Sequence, residues 1–556
     1  SKQRPAGGTP WPAMGFLRPL NCHLLLLTIR FVLGKEDSYP FVQDITRLVP
    51  LVHASIGDLM RNMKSTICVL TVVLGSVFAG SVADTRGNEL LDVADVHGGL
   101  VVHAGCRDGK LTTALRPDNS YVVHGLTSPS NLGTARATVR AAGEYGGVSI
   151  AAWDGSALPY VDGLANLIVV DDAPDLTQDE VLRVLAPGGV ALLSAASKID
   201  GEDVQIDGKT WRMLRKDRPS QMDEWTHFLH NPSNNAVSSD SIVAPPRRIQ
   251  WEAGPRYSRH HDKMSSVSAV VTSGGRVFTI IDEGPLWSIL MPPKWTLTAR
   301  DAYNGKLLWK RPIAQWHPHL FGLKSGPASL PRRLVSQGDK VYVTLGLNSA
   351  VAQLDARTGK TIQQYERTEG TTEILLDGDT LHLVAGPLPE KGAWFAEAQR
   401  KLMALAADTG KVIWEQEAWV VPGTLSVLDD RLYFFDKDEV ACLSAATGET
   451  KWRSAKIPRP ARYPSCYNPT LVATEKVILI SGGEAAGQGT FGRWSTKGAT
   501  DTISGLDAAT GKTLWSAHHG DSGYRSAEDI FVINDKVWFS DSRDGAKPGN
   551  TYGLDL

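Results

Sequence analysis

Asp301-Ala302-Tyr303-Asn304-Gly305-Lys306-Leu307-Leu308-Trp309 is the stretch whose return organises the second half of the chain. It comes back as Asp355-Ala356-Arg357-Thr358-Gly359-Lys360 and as Ala406-Ala407-Asp408-Thr409-Gly410-Lys411-Val412-Ile413-Trp414. Two further copies are Ser444-Ala445-Ala446-Thr447-Gly448-Glu449-Thr450-Lys451-Trp452 and Asp507-Ala508-Ala509-Thr510-Gly511-Lys512-Thr513-Leu514-Trp515. The glycines stand 38 to 63 residues apart, which suits one four-stranded unit with loops of variable length. Each phrase is accompanied by an alternating strand headed by a turn, such as Gly338-Asp339-Lys340-Val341-Tyr342-Val343 or Asp430-Arg431-Leu432-Tyr433-Phe434-Phe435. Period-two alternation between turn residues marks half-buried antiparallel strands.

The phrase has a physical reading. Glycine supplies the positive φ of a tight turn, Asp or Thr bonds the turn backbone, and a Trp four residues on lies against the next unit. Gln363 stands where one copy would have its Trp, so one seam is expected to be thinner. Trp251 reads as the outer strand of a further unit, and Tyr552-Gly553-Leu554-Asp555 begins a sixth phrase. The expectation is an all-β propeller over 247–556, with five to six blades and an open or incomplete ring.

These repeats resemble the PQQ-like propeller family, which includes quinoprotein alcohol dehydrogenases and an outer-membrane assembly lipoprotein. The dehydrogenases use an adjacent cysteine pair and a calcium ion. The five cysteines here, Cys22, Cys68, Cys106, Cys442 and Cys466, are never adjacent. PQQ is therefore not expected, and the resemblance favours a binding or scaffold role with a protein or glycan partner on the propeller. PQQ-dependent oxidoreduction is the second alternative to that role.

Upstream, short apolar strands alternate with helices. Leu100–Ala104 runs into Gly105-Cys106-Arg107-Asp108-Gly109 and a helix from Lys110. Strands follow at Tyr121–Leu126, Val148–Ala152, Leu164–Val170 and Val190–Ser194, with helices at Asn131–Ala142 and Asp179–Leu185. This is the pattern of a doubly wound, Rossmann-like α/β sheet, placed at 84–196.

The turn after the first strand, Gly125–Pro129, Trp153–Tyr160 and Val181–Gly189 fall at intervals that resemble the class I S-adenosylmethionine-dependent methyltransferases. The resemblance implies S-adenosylmethionine as cofactor, held at Gly105, Asp108, Gly109, Thr127 and Asp154, and methyl transfer as the first alternative function. The chain departs from the family at three places. His103 replaces an acid, Arg107 a glycine, and Thr127 the acid that chelates the ribose diol. Arg107 obstructs close backbone approach and brings a cation toward a sulfonium, while Thr127 lacks two strong acceptors. The domain is therefore expected to be degenerate, with no catalytic residue assigned.

Met63–Ala83 has one basic residue, an apolar run too short for a comfortable span, and small-residue cleavage candidates at Ala79 and Ala83. It reads as a secretory signal peptide, so the protein is expected to be extracytoplasmic with no integral span in the mature chain. Residues 1–62 read as an upstream extension outside the mature protein. The 556 residues are 42% hydrophobic and 21% charged with a net charge of −2, which gives no basic surplus for nucleic acid. Between the domains, 197–246 reads as a linker with a hairpin on Asp207-Gly208. It contains Asp223-Glu224-Trp225-Thr226-His227-Phe228-Leu229-His230, and Arg259–Lys263 follows. These are metal-ligand types, but their spacing fixes no geometry and no metal is assigned.

Overall fold

The computed structural model describes residues 85–245, 249–255, 267–288, 291–317, 329–388, 398–459, 469–481, 502–518, 530–540 and 550–556. The expected extension at 1–62, the expected signal at 63–83 and the cluster Arg259–Lys263 lie outside the described residues.

The α/β domain opens with helix α1 (Thr85–Ala94), which the sequence reading did not include. Then come β1 (Gly99–Ala104), α2 (Lys110–Ala114), β2 (Tyr121–Thr127), α3 (Leu132–Ala141), β3 (Val148–Ala152) and β4 (Ala165–Val170). The unit ends with α4 (Gln178–Val184), β5 (Leu185–Leu193), β6 (Glu202–Ile206) and β7 (Lys209–Arg215). The sheet order is β3-β2-β1-β4-β5-β7-β6, with the first five strands parallel and β7 reversed. The hairpin assigned to the linker is thus the far edge of this sheet, and the domain extends to Arg215. Its reach was missed because a hairpin is legible locally while the strand it joins is not.

The central strands are apolar on both faces because helices cover both. On one face Val101, Val123, Leu167, Val169 and Val190 pack with Leu90, Val139 and Trp211. On the other, Val102, Ala104, Leu126, Ile168 and Val170 pack with Val181 and Val184.

Among the described residues the second half forms five antiparallel sheets that make up six propeller blades, one eight-stranded sheet supplying two of them. Their inner strands are Val267–Ser273, Leu334–Gln337, Glu373–Asp377, Ser426–Leu428, Thr470–Ala473 and Phe531–Ile533. Blades 1, 2, 3 and 5 have four strands in simple up-and-down order, and three strands are described in the sixth. Blades 3 and 4 run on into one another through the pair Val420–Asp436.

Each repeated phrase is the last turn of a blade. Gly305, Gly359, Gly410, Gly448 and Gly511 all have φ between 70° and 76°. A second constraint acts on these glycines, because the aromatic ring of the preceding unit lies on them. A Cβ would fall 2.6 Å from Trp309 at Gly359, 2.7 Å from Trp414 at Gly448 and 2.3 Å from Trp452 at Gly511. The indole N–H then donates to the carbonyl of the turn's second residue: Trp309 to Ala356 at 2.9 Å, Trp414 to Ala445 at 2.8 Å and Trp452 to Ala508 at 3.1 Å. Trp251 docks on blade 1 in the same way, donating to Ala302 at 2.9 Å.

The seam at Gln363 is not thin. Tyr365, two residues on, lays its buried ring beside Gly410 and donates its hydroxyl to Ala407 O at 2.5 Å. Gln363 itself donates to Ala407 O at 3.1 Å and Asp408 O at 3.0 Å. A shorter ring from a later position fills the space of the missing indole.

The two domains meet at the amino-terminal edge of the α/β sheet. Asn166 Nδ2 at the start of β4 donates to Asp301 Oδ2 at 2.6 Å, and Asn304 Nδ2 donates back to Asn166 Oδ1 at 2.7 Å. Asn304 also reaches Leu164 O at 3.1 Å, and Arg357 of blade 2 bonds Asp95 at 3.0 Å.

Candidate functional site

In open parallel sheets ligands bind outside the carboxyl ends of the strands, where the order reverses. Here that point lies between β1 and β4, and the sequence-assigned residues do gather on the carboxyl-terminal edge. Gly105 and Gly109 flank the turn after β1, Thr127 closes β2, and Asp154 lies just beyond β3.

Both glycines are required by packing within the domain. At Gly105, with φ 79°, a Cβ would lie 2.2 Å from Asp172 O in the segment after β4. At Gly109, with φ 81°, it would lie 2.8 Å from Ala135 O of α3. The amide N–H groups of Gly105 and Cys106 both donate to Leu126 O, at 3.0 and 2.9 Å.

The polar side chains are likewise engaged locally. Thr127 is buried and donates its hydroxyl to Cys106 O, tying β2 to the turn. Asp108 accepts from Lys110 N at 3.1 Å and pairs with Lys110 Nζ at 3.3 Å. Asp154 is turned onto Ser156, accepting from its N at 3.1 Å and its hydroxyl at 2.9 Å. Those two bonds hold its carboxyl below the usual range. Arg107 reaches from the β1 turn to Asp172 at 3.2 Å, an exposed ion pair across the switch point. Asp172 was not assigned a role from sequence, although the pair Asp171-Asp172 at a strand end was the available signal.

His103, where the family carries an acid, is buried and exchanges a 2.8 Å hydrogen bond with Thr112 Oγ1. Burial, reinforced by the Arg86 guanidinium, lowers its pKa to about 4, so it is neutral at ordinary pH. Cys106 is a buried thiol, pushed up by desolvation, which keeps it protonated.

The loaded segment Asp223–His230 holds itself together. Asp223 accepts from His230 Nε2 at 2.6 Å, from Ser239 N at 2.7 Å and from Ser238 Oγ at 2.9 Å. His227 Nε2 accepts from Leu376 N at 3.0 Å. Beside them is a surface depression of about 640 Å³ lined by Arg218, Asp223, Glu224, His230 and Ser239, in which Arg218 pairs with Glu224 at 2.6 Å. Among the described residues no group of His, Cys, Asp and Glu has a metal-holding arrangement. On the propeller, Trp316 is fully buried, donates to Ser268 Oγ at 2.8 Å and lies 3.7 Å under the Arg333 guanidinium.

The class that fold and site define is a methyltransferase-like, Rossmann-like α/β domain followed by a propeller of PQQ-like repeats. The family described as outer membrane protein assembly factor BamB, of the PQQ_2 type, matches residues 387–489. Among curated proteins none matches. A europium-containing methanol dehydrogenase aligns at 13% identity and TM-score 0.35, over 54% of this chain and 58% of that one. The chain thus spans little more than half the length of that enzyme. BamB from Moraxella catarrhalis aligns at 18% identity and TM-score 0.26, over 48% of this chain and 78% of that one. A putative S-adenosylmethionine-dependent methyltransferase from Methanococcus maripaludis aligns at 15% identity and TM-score 0.21, over 24% of this chain and 85% of that one. Among the described residues no helix is long and apolar enough to cross a membrane.

Proposed function

We propose that this chain is an extracytoplasmic binding scaffold whose propeller takes a protein or glycan partner and whose α/β domain keeps a methyltransferase fold without cofactor binding. The observation that carries the reading is the use of the carboxyl-terminal edge. Thr127 spends its hydroxyl on Cys106 O, and Arg107 lies in an ion pair with Asp172 across the switch point. A diol there would meet no paired acceptor, and a sulfonium would meet a guanidinium. The domain contact supports the same reading. Asn166, Asp301 and Asn304 join the propeller to the opposite edge of the sheet, so among the described residues the blades supply no lid over the switch point. The PQQ-like repeats support the extracytoplasmic placement.

The test is calorimetric titration of the full chain with S-adenosylmethionine, beside an Arg107→Gly, Thr127→Asp double variant. The expected result is no binding tighter than about 100 μM, equivalent to about −5.5 kcal/mol, in the parent. Tighter binding by the parent would make methyl transfer the function instead.

A further inference from the structure

The segment between the domains does more than connect them. Its residues meet the inner strands of the six blades in sequence order. Trp225 N donates to Thr272 Oγ1 at 2.8 Å and its carbonyl accepts from Thr272 N at 2.7 Å, in blade 1. The Thr226 carbonyl accepts from Ser336 N of blade 2 at 3.0 Å. The His227 ring accepts from Leu376 N of blade 3 at 3.0 Å. A tight turn closed by Thr226 N to His230 O at 2.9 Å then reverses the chain. Past it, the Pro232 carbonyl accepts from Val427 N of blade 4 at 2.8 Å, and the Ser233 carbonyl from Ala473 N of blade 5 at 2.9 Å. Asn235 clasps Val532 of blade 6 in both directions, donating to its O and accepting from its N, each at 3.0 Å.

Asn234 ties non-adjacent blades together. It is buried and adopts φ 63°, and its amide donates to Leu425 O at 2.8 Å and Leu471 O at 2.9 Å. Its oxygen accepts from Arg332 Nη1 at 3.2 Å. Arg332 stands 3.7 Å from the fully buried Glu373, whose carboxylate accepts from Gly423 N at 2.6 Å and Leu425 N at 3.3 Å.

An innermost strand is an edge, and its outward N–H and C=O groups need partners. Here one short stretch supplies at least one to every blade. We infer that residues 225–235 form an intramolecular strap that closes the axial end of the propeller and joins its blades into one cooperative unit. The blades then depend on a segment that lies outside the repeats and arrives from the α/β domain. An extended peptide approaching that axial end meets inner strands on each of which at least one bonding group is already taken.

Hydrogen exchange on the full chain, read by mass spectrometry across a denaturant series, tests this. In the unmodified protein the six inner strands lose protection at one shared denaturant concentration. Loss blade by blade, at separate concentrations, overturns the strap. A second arm uses Asn234→Gly, which keeps the positive φ and removes the side chain. Exchange rises tenfold or more in the inner strands of blades 2, 4 and 5, while a Thr510→Ala control at an outer turn changes only its own turn. A change confined to residues 225–235 in Asn234→Gly also overturns the inference.

Discussion

The two edges of the α/β sheet have been put to opposite uses. In a doubly wound sheet the carboxyl-terminal edge is where ligands bind and the amino-terminal edge is silent. In this chain the amino-terminal edge carries the polar contacts that hold the propeller, through Asn166, Asp301 and Asn304. The carboxyl-terminal edge has turned its polar groups onto its own backbone and onto each other, through Thr127, Asp154 and the Arg107–Asp172 pair. On the function proposed above, the fold keeps its geometry while the side chains of one edge serve packing instead of a cofactor.

The largest effect should come from breaking the amino-terminal edge. Asn166→Leu removes the partner of Asp301 and Asn304 and also the acceptor of Leu100 N, which lies 2.9 Å away. Leaving a buried carboxylate short of a donor costs about 3 kcal/mol. Thermal unfolding should show the α/β domain melting apart from the propeller, and an unchanged single transition would contradict the docking.

The edges should also answer pH with opposite signs. His103, near the carboxyl-terminal edge, has its pKa lowered to about 4 by burial and by Arg86, with Asp108 opposing. Its contribution to stability is present above its unfolded value near 6.5 and is lost as pH falls toward 4, at about 1.4 kcal/mol per unit. Asp301, at the other edge, is pushed up by burial, against bonds from Asn166, Asn304 and Tyr303. Its contribution is present below the unfolded value and is lost as pH rises through the folded one. Denaturant titrations at pH 4 to 7 should show His103→Gln flattening the acid loss and Asp301→Asn removing the opposing trend. The same slope in His103→Gln and the parent would break the first assignment.

A smaller loss is expected at the reassigned threonine. Thr127→Val removes one buried hydrogen bond to Cys106 O and should cost about 1 kcal/mol in denaturant unfolding. The smallest effect belongs to Arg107→Ala. That ion pair is exposed on both sides, so its loss should change stability by less than about 0.5 kcal/mol. A larger loss in Arg107→Ala would mean that the pair braces the crevice.

Much of this was legible in the sequence because it is local or repeated. The apolar runs that became β1 to β5 and the glycine turns of the blades depend on neighbours a few residues away. The hairpin at Asp207-Gly208 was readable as a hairpin, but only pairing with β5 makes it a sheet edge. Tyr365 was missed because the seam requires a ring at a place in space, not at a fixed count from Gly359. The strap was hidden for a similar reason, since its residues use groups of several kinds, backbone carbonyl, imidazole and side-chain amide, and so leave no repeat. For the candidate site, residue types and positions were readable. The engagement of Thr127 with Cys106 O and of Arg107 with Asp172 was not, because it joins the ends of different strands.

The most direct test of the reassigned edge is thermal unfolding of the full chain with and without 1 mM S-adenosylmethionine. A ligand held at about 10 μM would stabilise the native state by about 2.7 kcal/mol at that concentration. The account predicts superimposable transitions, and a rise in the unfolding temperature of the α/β domain would contradict it.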